Sequence, residues 1–185
     1  MRIISGDARG RKLFAPSGED TRPTADRIRE SLFNILSNRV WDAEVLDLFG
    51  GTGAMALEAL SRGAAHAVIV DSAREAIRAI QKNAEGVLKD ALNERAKIIR
   101  ADYRAAIDAM PEVRFDLVFL DPPYRMTDAY ADALRRLRGR GLLNADCVCL
   151  LERAADARIL LPDGFECTDV RTYGGTSVEF VREAR

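Results

Sequence analysis

The sequence predicts an α/β fold, with a mostly parallel central sheet, helices on both faces, a small N-terminal β-hairpin ahead of it and a C-terminal antiparallel hairpin behind. Two observations carry this. From residue 44 onward, short apolar runs at 45–49, 67–70, 98–99, 115–120 and 148–151 alternate with longer amphipathic stretches at 55–60, 73–88 and 129–137, the rhythm of repeated βαβ units whose strands are buried on both faces. The tail then breaks that rhythm: runs at 165–171 and 177–181 bracket Tyr173-Gly174-Gly175-Thr176, a glycine loop of the kind that joins antiparallel strands.

Ahead of the main pattern, Ile3, Ile4, Leu13 and Phe14 flank a polar, glycine-containing stretch at 6–10, which reads as a small hairpin outside the main sheet. A polar connector with glycine and proline follows at 16–23. Thr24 can then cap a helix that places Ile28, Leu32, Phe33, Ile35 and Leu36 at helical spacing and turns Arg27, Arg29 and Glu30 outward. The expected division is a hairpin and linker over residues 1–23 and the main domain over 24–185.

The chain has 185 residues, 48% of them hydrophobic, with 28 Lys+Arg against 29 Asp+Glu. A domain of this length buries roughly 70% of the surface its unfolded chain exposes, enough for a core without disulfides or structural metal. Collagen-like, disordered and disulfide-scaffold classes are excluded. No apolar run approaches the roughly 18 residues of a membrane span, and the opening MRIISGDARGRK lacks the apolar core of a secretory signal, so a cytoplasmic protein is expected. Cys147, Cys149 and Cys167 form neither an even disulfide set nor a CxxC metal pair, which suits a reducing compartment and a site without metal. A single histidine, His66, argues against hydrolases that need a placed imidazole. Net charge is near zero but unevenly spread. Arg2, Arg9, Arg11 and Lys12 stand against Asp7 alone in the first twelve residues, and Arg22, Arg27 and Arg29 follow.

In an open parallel sheet, ligands bind beyond the carboxyl ends of the strands, so the strand ends are the candidate site. The first run leads into Asp47-Leu48-Phe49-Gly50-Gly51-Thr52-Gly53, where glycines let a ligand approach the backbone. Alone, that loop fits nicotinamide-cofactor enzymes as well as nucleoside binders. The second run ends at Asp71-Ser72, with Asp71 twenty residues after Gly51, the offset at which a carboxylate reaches ribose hydroxyls; capping the next helix is the other role open to Asp71. Asp102-Tyr103 closes the third run and could offer an acceptor and a ring to an adenine.

The fourth run enters Asp121-Pro122-Pro123-Tyr124. Two prolines stiffen the strand end and remove two donors, leaving carbonyl acceptors beside a carboxylate and an aromatic ring. This suits a planar amine, whose conjugated nitrogen is a poor nucleophile unless acceptors such as Asp121 and the Pro122 carbonyl hold its N–H bonds and aim it. Tyr124 can stack on the base that carries the amine.

These motifs resemble those of Rossmann-like, class I S-adenosylmethionine-dependent amino-methyltransferases. Together with Arg2-Ile3-Ile4-Ser5-Gly6, Gly10-Arg11-Lys12-Leu13, Arg22-Pro23-Thr24, Arg29-Glu30 and Leu57-Glu58-Ala59-Leu60-Ser61-Arg62-Gly63-Ala64, the chain is similar over nearly its whole length to the bacterial 16S ribosomal RNA guanine-N2 methyltransferases. Gly50 departs from the alanine common there, and the loop at 173–176 differs in detail. The resemblance implies S-adenosylmethionine as cofactor, held by Asp47, Phe49, Gly50, Gly51, Thr52, Gly53, Asp71, Ser72, Asp102 and Tyr103. It also implies catalysis at Asp121, Pro122, Pro123 and Tyr124, and action on 16S rRNA in the small subunit or its assembly intermediate; a monomer is the expected state. Arg2, Arg9, Arg11, Lys12, Arg22, Thr24 and Arg27 are the expected RNA contacts. Other planar amines, adenine-N6 or a glutamine side chain, fit the same corner, whereas a nicotinamide-dependent oxidoreductase would leave Asp121 to Tyr124 without a role.

Overall fold

The computed structural model describes residues 1–15 and 23–184, without the side chains of residues 23 and 24. Its helices are α1 (Pro23–Leu36), α2 (Ala54–Ser61), α3 (Arg74–Leu88), the single turn α4 (Leu92–Arg95), α5 (Tyr103–Ala109) and α6 (Ala129–Gly139). The strands are β1 (Glu44–Asp47), β2 (His66–Asp71), β3 (Ala96–Arg100), β4 (Phe115–Leu120), β5 (Leu143–Ala154), β6 (Phe165–Tyr173) and β7 (Thr176–Glu183). Among the described residues these strands form one sheet in the order β3-β2-β1-β4-β5-β7-β6. Pairing is parallel from β3 to β5, while β7 runs antiparallel to both β5 and β6.

Strand order steps outward from β1 to β2 to β3 and then returns to the other side of β1 for β4. That reversal puts a crevice at the carboxyl ends of β1 and β4, the switch point where open α/β sheets take ligands. Successive residues of these strands face opposite layers. Val45, Leu117 and Phe119 pack with Phe33, Leu57 and Ile80 of α1, α2 and α3. Leu46, Val118 and Leu120 pack with Ile107, Leu134 and Leu137 of α5 and α6. Both faces are therefore dry, which is why the runs are apolar without alternation. No helix among the described residues is long and apolar enough to cross a membrane.

The N-terminal hairpin is present, closed by an antiparallel bridge between Arg2 and Lys12 and by Ile3 N–H donating to the Arg11 carbonyl at 2.9 Å. It is fastened to α2. Ile3 and Leu13 are buried in the layer of α1 to α3, and Asp7 N–H donates to the Ser61 carbonyl at 2.9 Å. A Cβ on Gly6, whose φ is +82°, would lie 1.7 Å from that same oxygen, so only glycine permits the approach. The C-terminal hairpin turns through Gly174-Gly175, pairing Tyr173 with Thr176. Its tip lies at the carboxyl end of β5, where Ala154 pairs with Thr176.

Three features differ from expectation. α1 begins at Pro23, one residue ahead of the expected cap Thr24. α5, absent from the sequence reading, is too short to show a helical period; Asp102 starts it by accepting the Arg104 N–H at 2.9 Å. β5 starts five residues before its apolar run, and its register with β4 shifts between Phe115 and Leu117.

Candidate active site

The glycine loop is built by the strand ends beneath it. Gly50 N–H donates to the Val70 carbonyl at 2.8 Å, and Gly53 N–H to the Gly50 carbonyl at 2.6 Å. Gly51 and Gly53 have φ of +54° and +79°, the left-handed region that glycine enters without penalty. Gly50 meets a different constraint, since a Cβ there would lie 2.7 Å from Ile69 Cγ2 and 3.0 Å from Ile80 Cδ1. An alanine there would push against those two isoleucines.

Two carboxylates organise this loop. Asp71 accepts the Gly51 N–H on Oδ2 at 2.9 Å and the Ala73 N–H on Oδ1 at 2.8 Å. It thus ties the loop and closes the turn that leads into α3, whose own N-cap, Ala73, makes no side-chain bond, so the expected capping role is not the one it takes; each oxygen retains a second lone pair for a ligand. Asp47 lies under the loop and is nearly fully buried. Burial, reinforced by the charge of Asp71, pushes its carboxyl up to about 7 against the pull of the Phe49 and Ala56 backbone N–H groups.

A cleft of about 440 Å³ opens over these strand ends. Leu48, Phe49, Gly51, Asp71 and Ser72 form one wall, Ala101, Asp102 and Tyr103 another, and Asp121, Pro122, Pro123, Tyr124, Met126 and Glu152 the third. Tyr103 is a fixed wall. Its buried ring lies 5.3 Å from that of Phe49 at a 44° tilt, and its hydroxyl donates to Asp132 at 2.8 Å. Burial and the Asp132 carboxylate push its phenol up to about 12.

The Asp121 to Tyr124 corner is continuous with α6. The Pro123 carbonyl accepts the Met126 N–H at 2.7 Å, and Met126's carbonyl accepts the Ala129 N–H at 3.0 Å. Among the described residues no backbone N–H donates to the Pro122 carbonyl, and the Pro122 ring is buried beneath it. Asp121 is exposed in the cleft. Tyr124 is 78% exposed, which leaves its ring open for stacking.

The structure therefore brings Phe49, Gly51, Asp71, Ser72, Asp102, Tyr103, Asp121, Pro122, Pro123 and Tyr124 into one cleft. Asp47, Gly50, Thr52 and Gly53 lie outside its walls. Thr52 turns away, its hydroxyl 3.4 Å from Met1 Sδ and its carbonyl accepting from Asn83 at 2.9 Å. Four wall residues went unread in the sequence: Leu48, Ala101, Met126 and Glu152. Glu152 follows directly on the apolar run of β5, so the strand-end rule that found Asp47, Asp71 and Asp121 would have found it too.

A second cleft, also of about 440 Å³, lies between the N-terminal hairpin and α1, lined by Arg2, Ile3, Ile4, Arg9, Gly10, Asp26, Arg27 and Glu30. Arg11 and Lys12 are exposed beside it. Arg22 and the side chain of Thr24 lie outside the described residues. Arg29, expected on the outer face of its helix, is instead 4% exposed. The cause is Glu58 of α2, which is completely buried. Its two oxygens accept the Ile4 and Ser5 backbone N–H groups at 2.8 and 3.1 Å and the Arg62 guanidinium at 2.6 Å, with Arg29 Nε 3.5 Å away. Arg29 in turn reaches Asp26 at 3.0 Å and the Arg2 carbonyl.

A family model described as conserved hypothetical protein 95 matches residues 1–182. The chain is 41% identical over 125 residues to ribosomal RNA small subunit methyltransferase D of Escherichia coli (strain K12), covering 68% of this chain and 61% of that protein. It is 32% identical over 178 residues to the protein of the same name from Haemophilus influenzae, covering 94% and 89%. The solved structure of yhhF from Escherichia coli superposes with a TM-score of 0.85 at 29% identity over 99% of this chain and 97% of that one. The fold is thus the Rossmann-like methyltransferase fold.

Proposed function

Because this chain belongs to the family described as conserved hypothetical protein 95, alongside relatives named ribosomal RNA small subunit methyltransferase D, we propose that it is an rRNA methyltransferase that uses S-adenosylmethionine to methylate the exocyclic N2 of a guanine in 16S rRNA. The observation that carries this reading is the meeting of two motifs in one cleft. The glycine loop with Asp71 stands on one side of the switch point and the Asp121 to Tyr124 corner on the other.

The cleft fits the cofactor. Nothing lies within 4 Å of the position a Gly51 Cβ would take, so the backbone there is open to close approach, and Asp71 keeps lone pairs for ribose hydroxyls. Leu48, Phe49 and Gly51 of the 47–53 loop would take the methionine part, Asp71 and Ser72 the ribose, and Asp102 with the Tyr103 wall the adenine. When bound, the cofactor supplies a methyl group on a sulfonium, an excellent leaving group.

The chain's own residues then have a positioning task. Asp121 and the Pro122 carbonyl accept the two N–H bonds of the amine, turn its lone pair toward the cofactor side and favour its change to tetrahedral geometry. The rigid Pro-Pro backbone holds those acceptors in place, and alignment of this kind can contribute roughly 7–11 kcal/mol. Tyr124 stacks on the base, worth about 1–3 kcal/mol. The Asp121 carboxylate also stabilises the positive charge that develops on nitrogen. Arg2, Arg9, Arg11, Lys12 and Arg27, with Arg22 and Thr24 nearby in sequence, hold RNA phosphates, contacts that position rather than specify. The protein acts as a monomer in the cytoplasm, on the small subunit or its assembly intermediate.

Incubation with labelled S-adenosylmethionine and undermethylated small subunits, followed by nucleoside mass spectrometry, tests the reading. Label in N2-methylguanosine is expected. Label in N6-methyladenosine or on protein would overturn the guanine assignment, and no transfer at all would overturn the activity.

A further inference from the structure

Glu152 is the one acidic wall residue that the reading above leaves without a task. In β5 it follows Leu151, and Leu151 pairs in parallel register with Leu120, the residue before Asp121. Asp121, just past the end of β4, and Glu152, within β5, therefore follow paired residues on neighbouring strands, whose main chains run about 4.8 Å apart in ordinary sheet geometry. Phe119 and Leu150, two residues before each, pack in the same core layer, so alternation sends Asp121 and Glu152 to the same side. Both line the same cleft. The main chain of Glu152 is fixed by the Tyr130 hydroxyl, which donates to its carbonyl. Its carboxylate is hydrogen-bonded by no donor among the described residues.

A half-buried carboxylate presented to a substrate cleft asks for a donor. On the reading of the target as a guanine, one is available. The Watson–Crick edge of guanine carries two adjacent donors, N1–H and the N2 amine. We infer that Glu152 determines base specificity, accepting the N1–H of the guanine whose N2 is held by Asp121 and the Pro122 carbonyl. Adenine presents a lone pair at N1, so its approach sets lone pair against carboxylate and leaves a desolvated acceptor unpaired. The inference rests on the guanine-N2 reading and assigns that site its selectivity.

The test uses small subunits reconstituted with RNA carrying either guanine or 2-aminopurine at the methylated position. 2-Aminopurine keeps the amine but has no N1–H. The wild-type enzyme, Glu152→Ala and Glu152→Gln are compared by kcat/KM on both substrates and by calorimetric affinity for S-adenosylhomocysteine. The wild type should prefer guanine by about 100-fold or more, as sites built around a hydrogen bond do. Glu152→Ala should bring the ratio within about tenfold with the S-adenosylhomocysteine affinity unchanged. Glu152→Gln, whose amide can donate to N1, should shift preference toward 2-aminopurine. An unchanged ratio in both variants would overturn the inference, and so would a loss of S-adenosylhomocysteine affinity, which would place Glu152 on the cofactor. A wild type that forms no N2-methylguanosine would refute the underlying reading instead.

Discussion

Asp47 and Asp121 lie at the ends of adjacent strands in opposite surroundings. Asp47 is buried and its carboxyl is pushed up to about 7, chiefly by desolvation. Its folded form holds a proton that the unfolded chain releases from about pH 4. Its contribution to stability is therefore full below its unfolded value of 3.8 and is lost as pH rises through about 7, at about 1.4 kcal/mol per pH unit in between. Urea unfolding across pH 4–8 should show this slope in the wild type and lack it in Asp47→Asn. Asp121 faces the cleft, where the proposed function has it orient an amine. Asp121→Ala should lose methyl transfer by about 100-fold or more while calorimetry shows normal affinity for S-adenosylhomocysteine; a nearly active variant would contradict the assignment. In the sequence both residues were legible as strand-end carboxylates, one given to the cofactor and one to catalysis, but the burial of Asp47 was not, because it depends on tertiary packing around the strand end. Asp71 was legible as a strand-end carboxylate, but the structure does not make it the cap of α3, whose N-cap is Ala73 without a side-chain bond; it ties the glycine loop and the turn ahead of the helix instead.

At the scale of elements, the N-terminal hairpin depends on α2. Glu58 gathers two hairpin N–H groups and two arginines in a fully buried position. Removing one partner of such a network leaves uncompensated buried charge and typically costs about 3–5 kcal/mol. Glu58→Ala should lower the unfolding free energy by that order and release the hairpin, measurable as faster amide exchange at residues 3–5. Native exchange there would refute the coupling. Arg29 shows why the sequence pattern fell short: helical spacing places it beside Arg27 and Glu30 on a polar face, and only the packing of α2 against α1 makes that face an interior one. α5 escaped notice for a related reason. Seven residues give fewer than two full turns, too little for an apolar period, although its cap Asp102 was singled out for another role.

For the molecule as a whole, sheet order concentrates the chemistry. Alternating apolar runs made a covered parallel sheet legible, and the glycine loop at 173–176 made the closing hairpin legible. The insertion of β7 between β5 and β6 was not, since strand order depends on long-range pairing that no local pattern encodes. The cationic hairpin should act over the same scale. Neutralising Arg9, Arg11 and Lys12 together should weaken RNA binding and reduce the slope of log affinity against log salt by about 2 to 3, near 0.7–0.9 per lost phosphate contact. An unaltered slope would remove the hairpin from the RNA-binding surface.

The most direct measurement of the central claim is a crystal structure with S-adenosylhomocysteine. The account predicts its sulfur in the cleft between Gly51 and the Asp121 to Tyr124 corner, with the ribose on Asp71. A sulfur bound away from that corner would contradict it.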